Sequence, residues 1–177
     1  MSELKQISIE VIQVMHTLPE LAHLDLDALP EVSLGYLRRD AINRHAVCRY
    51  RRGVRRGQKV GPAQVRCVDL HPNALAVEWE RYARFLLYHE YLHALGFTDH
   101  GREFRRLEAL WPDREARSQD ILFARMLRER NARWIWSCTT GCGIRYPRAR
   151  RGNGRYQCRR CKRPLEDLPG PANPETQ

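Results

Sequence analysis

No stretch of the chain approaches the roughly 18 consecutive apolar residues of a membrane-spanning helix, so no membrane partner is expected. The first residues also lack the charged-then-apolar order of a signal peptide. The expectation is a cytoplasmic or nucleoid-associated protein (nuclear in a eukaryote) that is not secreted. Positive charge is almost missing from residues 1–37, where Lys5 stands alone against Glu3, Glu10, Glu20, Asp25, Asp27 and Glu31. Acidic residues are missing altogether from 131–163. Cysteine is scarce before residue 138, with only Cys48 and Cys67, each expected to be a small buried hydrophobe kept reduced.

What is present bounds the rest. With 177 residues, 42% of them hydrophobic, the chain can bury the core of one moderate domain and carry a small appendage. The formal charge of +10 favours an anionic partner, nucleic acid first. That charge is concentrated in two places. Residues 38–66 carry Arg38, Arg39, Arg44, Arg49, Arg51, Arg52, Arg55, Arg56, Lys59 and Arg66 against Asp40 alone, and 131–163 is the second basic stretch.

The chemistry centres on His89-Glu90-Tyr91-Leu92-His93, an H-E-x-x-H. On a helix, His89 and His93 lie one turn apart on one face, so both imidazoles can reach one metal ion and Glu90 can touch a water there. A helix is expected from Asn73 onward, because Leu75, Trp79, Tyr82, Leu86, His89 and His93 recur at alternating spacings of four and three. Gly96 should end it. The bland alternative is a pair of core histidines matching the motif by chance. A third ligand should follow the turn, and Asp99 and His100 both qualify. Asp99 completes H-E-x-x-H-x-x-G-x-x-D, a spacing of metzincin type.

His100 opens His100-Gly101-Arg102-Glu103-Phe104, and H-E-x-x-H followed closely by H-G-x-x-F resembles the SprT-like (Spartan-related) zinc metalloproteases. The resemblance implies an α+β fold, a small zincin-like domain of helices and a short antiparallel sheet. It implies a catalytic zinc on His89, His93 and His100, with Glu90 as the base. Asp99 remains open as the third ligand.

Residues 1–44 read as an N-terminal helical segment, with one helix ending near Pro19 and a second over Val32–Arg44. His45–Arg51 and Gln64–Leu70 read as a hairpin around a glycine-rich basic loop that could touch phosphates. The protease core is expected over 45–132, with further helices over Arg102–Leu110 and from about Asp113 to Asn131. Tyr88, Tyr91 and Tyr146 are candidates for stabilising an oxyanion, and nothing in the sequence selects among them.

Cys138-x3-Cys142 and Cys158-x2-Cys161 then give four thiols in two close pairs, the pattern of a zinc ribbon with a structural zinc. Two disulfides are the alternative. The ribbon is expected over 133–165, and 166–177 reads as a disordered tail. SprT-like proteins often carry such a ribbon, which strengthens the resemblance. Arg145, Arg148, Arg150, Arg151, Arg155, Arg159 and Arg160 interleave with Trp136, Tyr146 and Tyr156, a composition suited to stacking bases and holding phosphates.

Two readings follow. One is a monomeric zinc endopeptidase that cleaves proteins bound or crosslinked to DNA, with single-stranded DNA or DNA of single-stranded character as partner. The family resemblance supplies that substrate class and the association with DNA repair. The other is a non-proteolytic nucleic-acid-binding zinc protein in which H-E-x-x-H is structural or a relic.

Overall fold

The computed structural model describes residues 2–54 and 60–172. Arg55, Arg56 and Lys59 of the basic loop lie outside the described residues, as do 173–177. The chain is α+β and divides into two compact units, Met1–Ile121 and Leu122–Gln177. The N-terminal segment is therefore part of the first unit rather than a separate one.

In the first unit, α1 (Glu3–His16) is capped by the Ser2 hydroxyl and buries Leu4, Ile7, Val11, Ile12 and Met15 along one stripe. It packs on α2 (Glu80–Ala94), whose other side covers the sheet. Being covered on two sides, α2 is buried nearly all round, including Tyr82, Leu86, Tyr88 and Leu92. A buried hydrogen bond of 2.7 Å between Ser8 and the Tyr91 hydroxyl ties the two helices. The Arg84 guanidinium adds an ion pair to Glu10 at 2.8 Å.

The sheet has the order β1-β3-β2, from β1 (Leu34–Tyr36), β2 (Ala46–Tyr50) and β3 (Val65–Leu70). β2 is antiparallel to β3, as the hairpin reading requires, and β1 joins in parallel on the far side. The helix expected over Val32–Arg44 is absent. Leu34–Tyr36 instead pair with Val68–Leu70, and a Cβ at Gly35 would collide with the Asp69 carboxylate. The register puts Arg49 opposite Cys67 and Cys48 opposite Val68. Since directly paired residues share a face, the two cysteines lie on opposite faces.

The start of α2 also differs from expectation. Pro72–Leu75 and Val77–Trp79 form two short 3-10 turns, the first capped by the His71 imidazole rather than begun by Asn73. At its other end the helix closes as a Schellman turn: the Gly96 amide donates to the His93 carbonyl and the Phe97 amide to that of Leu92. Gly96 has φ +110°, and a Cβ there would lie 2.6 Å from the Val60 carbonyl oxygen, so glycine is needed on both counts. α3 (Arg102–Glu108) follows, and α4 (Gln119–Arg130) runs across the division between the units.

The second unit holds an antiparallel sheet of order β5-β4-β6, from β4 (Trp134–Cys138), β5 (Arg145–Arg148) and β6 (Leu165–Pro169). β6 corrects the tail boundary. Glu166–Pro169, read as disordered, pair with Trp134–Ser137 of β4, and the Asp167 carboxylate accepts from the Gly152 and Asn153 amides at 2.7 and 2.8 Å. No helix among the described residues is long and apolar enough to cross a membrane.

Candidate metal centres

α2 presents His89 and His93 one turn apart, and the Gly96 turn brings the chain back so that His100 meets them. Their ligating nitrogens all lie within 4.8 Å of one another, with Nε2 of His100 3.1 Å from Nε2 of His89. Asp99 is not in this group. Its Oδ1 accepts the Gly101 amide at 2.8 Å, leading the chain into α3, and a Cβ on Gly101 would sit 2.6 Å from that oxygen. Phe104 explains the spacing of the second motif. Its buried ring packs against all three imidazoles, with centroids 4.7 to 4.9 Å apart.

Each helical imidazole is oriented through Nδ1. His93 donates to the Phe97 carbonyl at 2.6 Å, and His89 donates to Glu108 at 2.7 Å. With protons fixed on Nδ1, both Nε2 lone pairs are left for a metal. Burial holds His93 down to about pKa 4 and also lowers His100, where the neighbouring His89 adds to the effect. Glu108 is the residue that sequence reading missed. It lies nineteen positions from His89, at the end of α3, with no motif to mark it. Burial raises its carboxyl, but the His89 hydrogen bond and the charges of His89 and Arg117 outweigh this and bring it below the usual range. Arg117 holds its second oxygen at 3.2 Å.

Glu90 is buried beside the histidines, against the edge strand β2. Burial pushes its carboxyl up to about 7, partly offset by the His89 charge and a hydrogen bond from the Cys48 backbone amide. Two of the candidate oxyanion tyrosines are excluded by their own bonds. Tyr88 and Tyr91 are fully buried, with hydroxyls committed to the Leu107 carbonyl and to Ser8. Tyr146 belongs to the second unit.

In the second unit, Cys138, Cys142, Cys158 and Cys161 bring four sulfurs within 4.8 Å of one another, all as free thiols. The two-disulfide alternative is not what forms. Gly141 and Gly143, both at positive φ, let the longer x3 spacing close, and Lys162 takes the same left-handed conformation beside Cys161. The Thr140 hydroxyl and amide hydrogen-bond the Cys138 sulfur and bring its thiol down to about 6.

Trp134, Trp136, Tyr146 and Arg148 share one face of this sheet through the pairings Trp134–Arg148 and Trp136–Tyr146. Trp136 and Tyr156 stack on each other at 4.2 Å, Arg148 lies 5.0 Å over Trp136, and Arg151 lies 4.0 Å over Trp134. Arg150, Arg155, Arg159 and Arg160 are exposed on loops around the cysteines. Arg145, one residue out of phase with Tyr146, is on the other face of the sheet.

Both donor sets fit zinc. Three neutral imidazoles leave a tetrahedral ion one open position, as hydrolytic sites require, while four sulfurs close a structural one. Comparison with protein-family models, curated proteins and solved structures gives no match.

Proposed function

We propose that the chain is a zinc-dependent endopeptidase of zincin type, related to the SprT-like proteases, acting on proteins bound or crosslinked to DNA. The observation that carries this reading is the trio His89, His93 and His100 with Glu90 buried beside it. A zinc ion held by the three imidazoles would supply Lewis acidity to a water and to the scissile carbonyl. Glu90 takes the proton from the attacking water and returns it to the leaving amine, a role that its buried position beside the imidazoles serves. Glu108 and the Phe97 carbonyl keep the two helical imidazoles in register throughout. β2 pairs only with β3 among the described residues, so its outer edge is open to an extended substrate chain beside Glu90.

The four-thiolate unit would hold a structural zinc and present its aromatic and arginine face to single-stranded DNA, raising the local concentration of DNA-bound substrates. The test is proteolysis of a DNA-binding protein with zinc, with and without single-stranded DNA, by wild type and Glu90→Gln. Cleavage that requires both DNA and Glu90 is expected. DNA binding without cleavage would instead favour the non-proteolytic zinc protein.

A further inference from the structure

The arginines of the first unit are not all used alike. Arg81 and Arg84 of α2 are each ion-paired twice, and Arg117 is held by Glu108. Around the sheet the pattern changes. Arg38 meets Asp40 in an exposed pair, and Arg49 meets Asp69 at 2.6 Å. Arg39, Arg51, Arg52 and Arg66 are exposed and, among the described residues, make no ion pair.

The sheet sets where these side chains stand. Val68 and Leu70 are fully buried and, with Cys48 and Ala46 opposite them, lie toward α2. Residues out of phase with these face the other way. They are Val47, Arg49, Cys67 and Asp69, with Gly35 of β1 against the Asp69 carboxylate. The chain from Leu37 to Arg44 borders this outer face, where Arg38, Arg44 and Arg49 line a hollow of about 490 Å³. After Arg49 the register slips and leaves Arg66 as the extra residue of a β-bulge, while Arg51 and Arg52 continue past the end of β2. A basic track therefore follows β2, with arginines beside its start, on its outer face and beyond its end.

The carboxylates bordering the track are Asp40 and Asp69. Arg44 also shares a second hollow with Glu90, Glu108 and Asp120, which offset its charge, so the excess does not depend on it. Arg39, Arg51, Arg52 and Arg66 remain uncompensated. Every cation here is an arginine, whose planar guanidinium can take a phosphate through two N–H bonds. No aromatic ring accompanies them on the outer face. Tyr36, one residue out of phase with Gly35, is on the α2 side. Bases would have nothing to stack on, so the contact suits phosphates alone. The five residues of β2 span roughly 17 Å, a length over which a duplex carries about ten phosphate charges.

We infer that the outer face of this sheet is a second nucleic-acid surface, one that holds the phosphate backbone of duplex DNA without reading its sequence. It rests on the DNA association proposed above and adds to it a contact made by the first unit itself. The DNA then lies across the sheet from α2, which carries His89, Glu90 and His93.

The test measures binding of labelled duplex DNA to the full zinc-loaded chain over a range of salt concentrations. Replacing Arg39, Arg51 and Arg52 together by glutamine should make the slope of log affinity against log salt shallower by about three, one unit for each lost phosphate contact. Lysine at the same three positions should keep the slope. Glutamine at Arg102, Arg106 and Arg114, exposed arginines on and beyond α3, removes the same charge and should change the slope by less than one unit. An equal change in that control overturns the inference, because net charge alone would then account for it. So does an unchanged slope in the sheet variant, or displacement of the duplex by poly-glutamate as effective as by unlabelled duplex at equal charge. The readout is binding and not cleavage, so these failures leave the endopeptidase reading and the single-strand surface of the second unit standing.

Discussion

In the metal-free chain, two side chains of the site answer pH in opposite directions. The carboxyl of Glu90 is raised by burial to about 7 in the folded state, so the stability it contributes is full below its ordinary 4.5 and lost as pH rises through 7. His93 is lowered to about 4, so its contribution is full above its ordinary 6.5 and lost as pH falls through 4. The two slopes offset each other between about 4.5 and 6.5. Glu90→Gln removes one of them, a change of about 3 kcal/mol across the window. Urea unfolding of chelator-treated protein should therefore vary less with pH for wild type than for Glu90→Gln over this range. For Glu90→Gln, stability should fall steadily as the pH is lowered. Equal slopes in the two proteins would mean that Glu90 is not buried as described.

At the scale of elements, α2 and the turn after it govern the site, and they were the most legible part of the sequence. The periodic run from Tyr82 to His93 and the stop at Gly96 are local signals, written in residues three and four apart. What escaped depends on partners distant in the chain. Leu34–Tyr36 become a strand only because Val68–Leu70 offer a parallel edge, and no local pattern announces such a pairing. Leu165–Pro169 carry the acidic, proline-flanked composition of a tail. They are ordered by β4, on an edge strand where a proline is tolerated. Glu108 escaped for the same reason, since only the packing of α3 brings it to His89. The weight carried by the turn itself can be measured. Gly96→Ala places a side chain at positive φ and against the Val60 carbonyl. The expected cost is about 1–3 kcal/mol, seen as a lower urea midpoint with an unchanged slope. Zinc affinity should fall with it, because the Phe97 carbonyl that orients His93 lies one residue beyond.

At the scale of the whole molecule, the chain combines two clusters of different chemistry that could hold metal ions, in two compact units. Three imidazoles with a carboxylate alongside form an open set suited to reaction, and four thiols form a closed set suited to structure. The positive charge that dominates the composition is densest around the thiols, on loops and strands that also carry the stacked Trp136 and Tyr156. The imidazole site is proposed to be hydrolytic, with Glu90 as its base. The most direct test compares wild type with Glu90→Gln, both shown by native mass spectrometry to hold the same zinc, on one DNA-bound protein substrate. Expected are two zinc ions in each chain, cleavage by wild type, and at least a hundredfold loss of cleavage in Glu90→Gln, about the contribution of a positioned acid–base group. Equal cleavage by the two chains, or none by a wild-type chain carrying both ions, would contradict it.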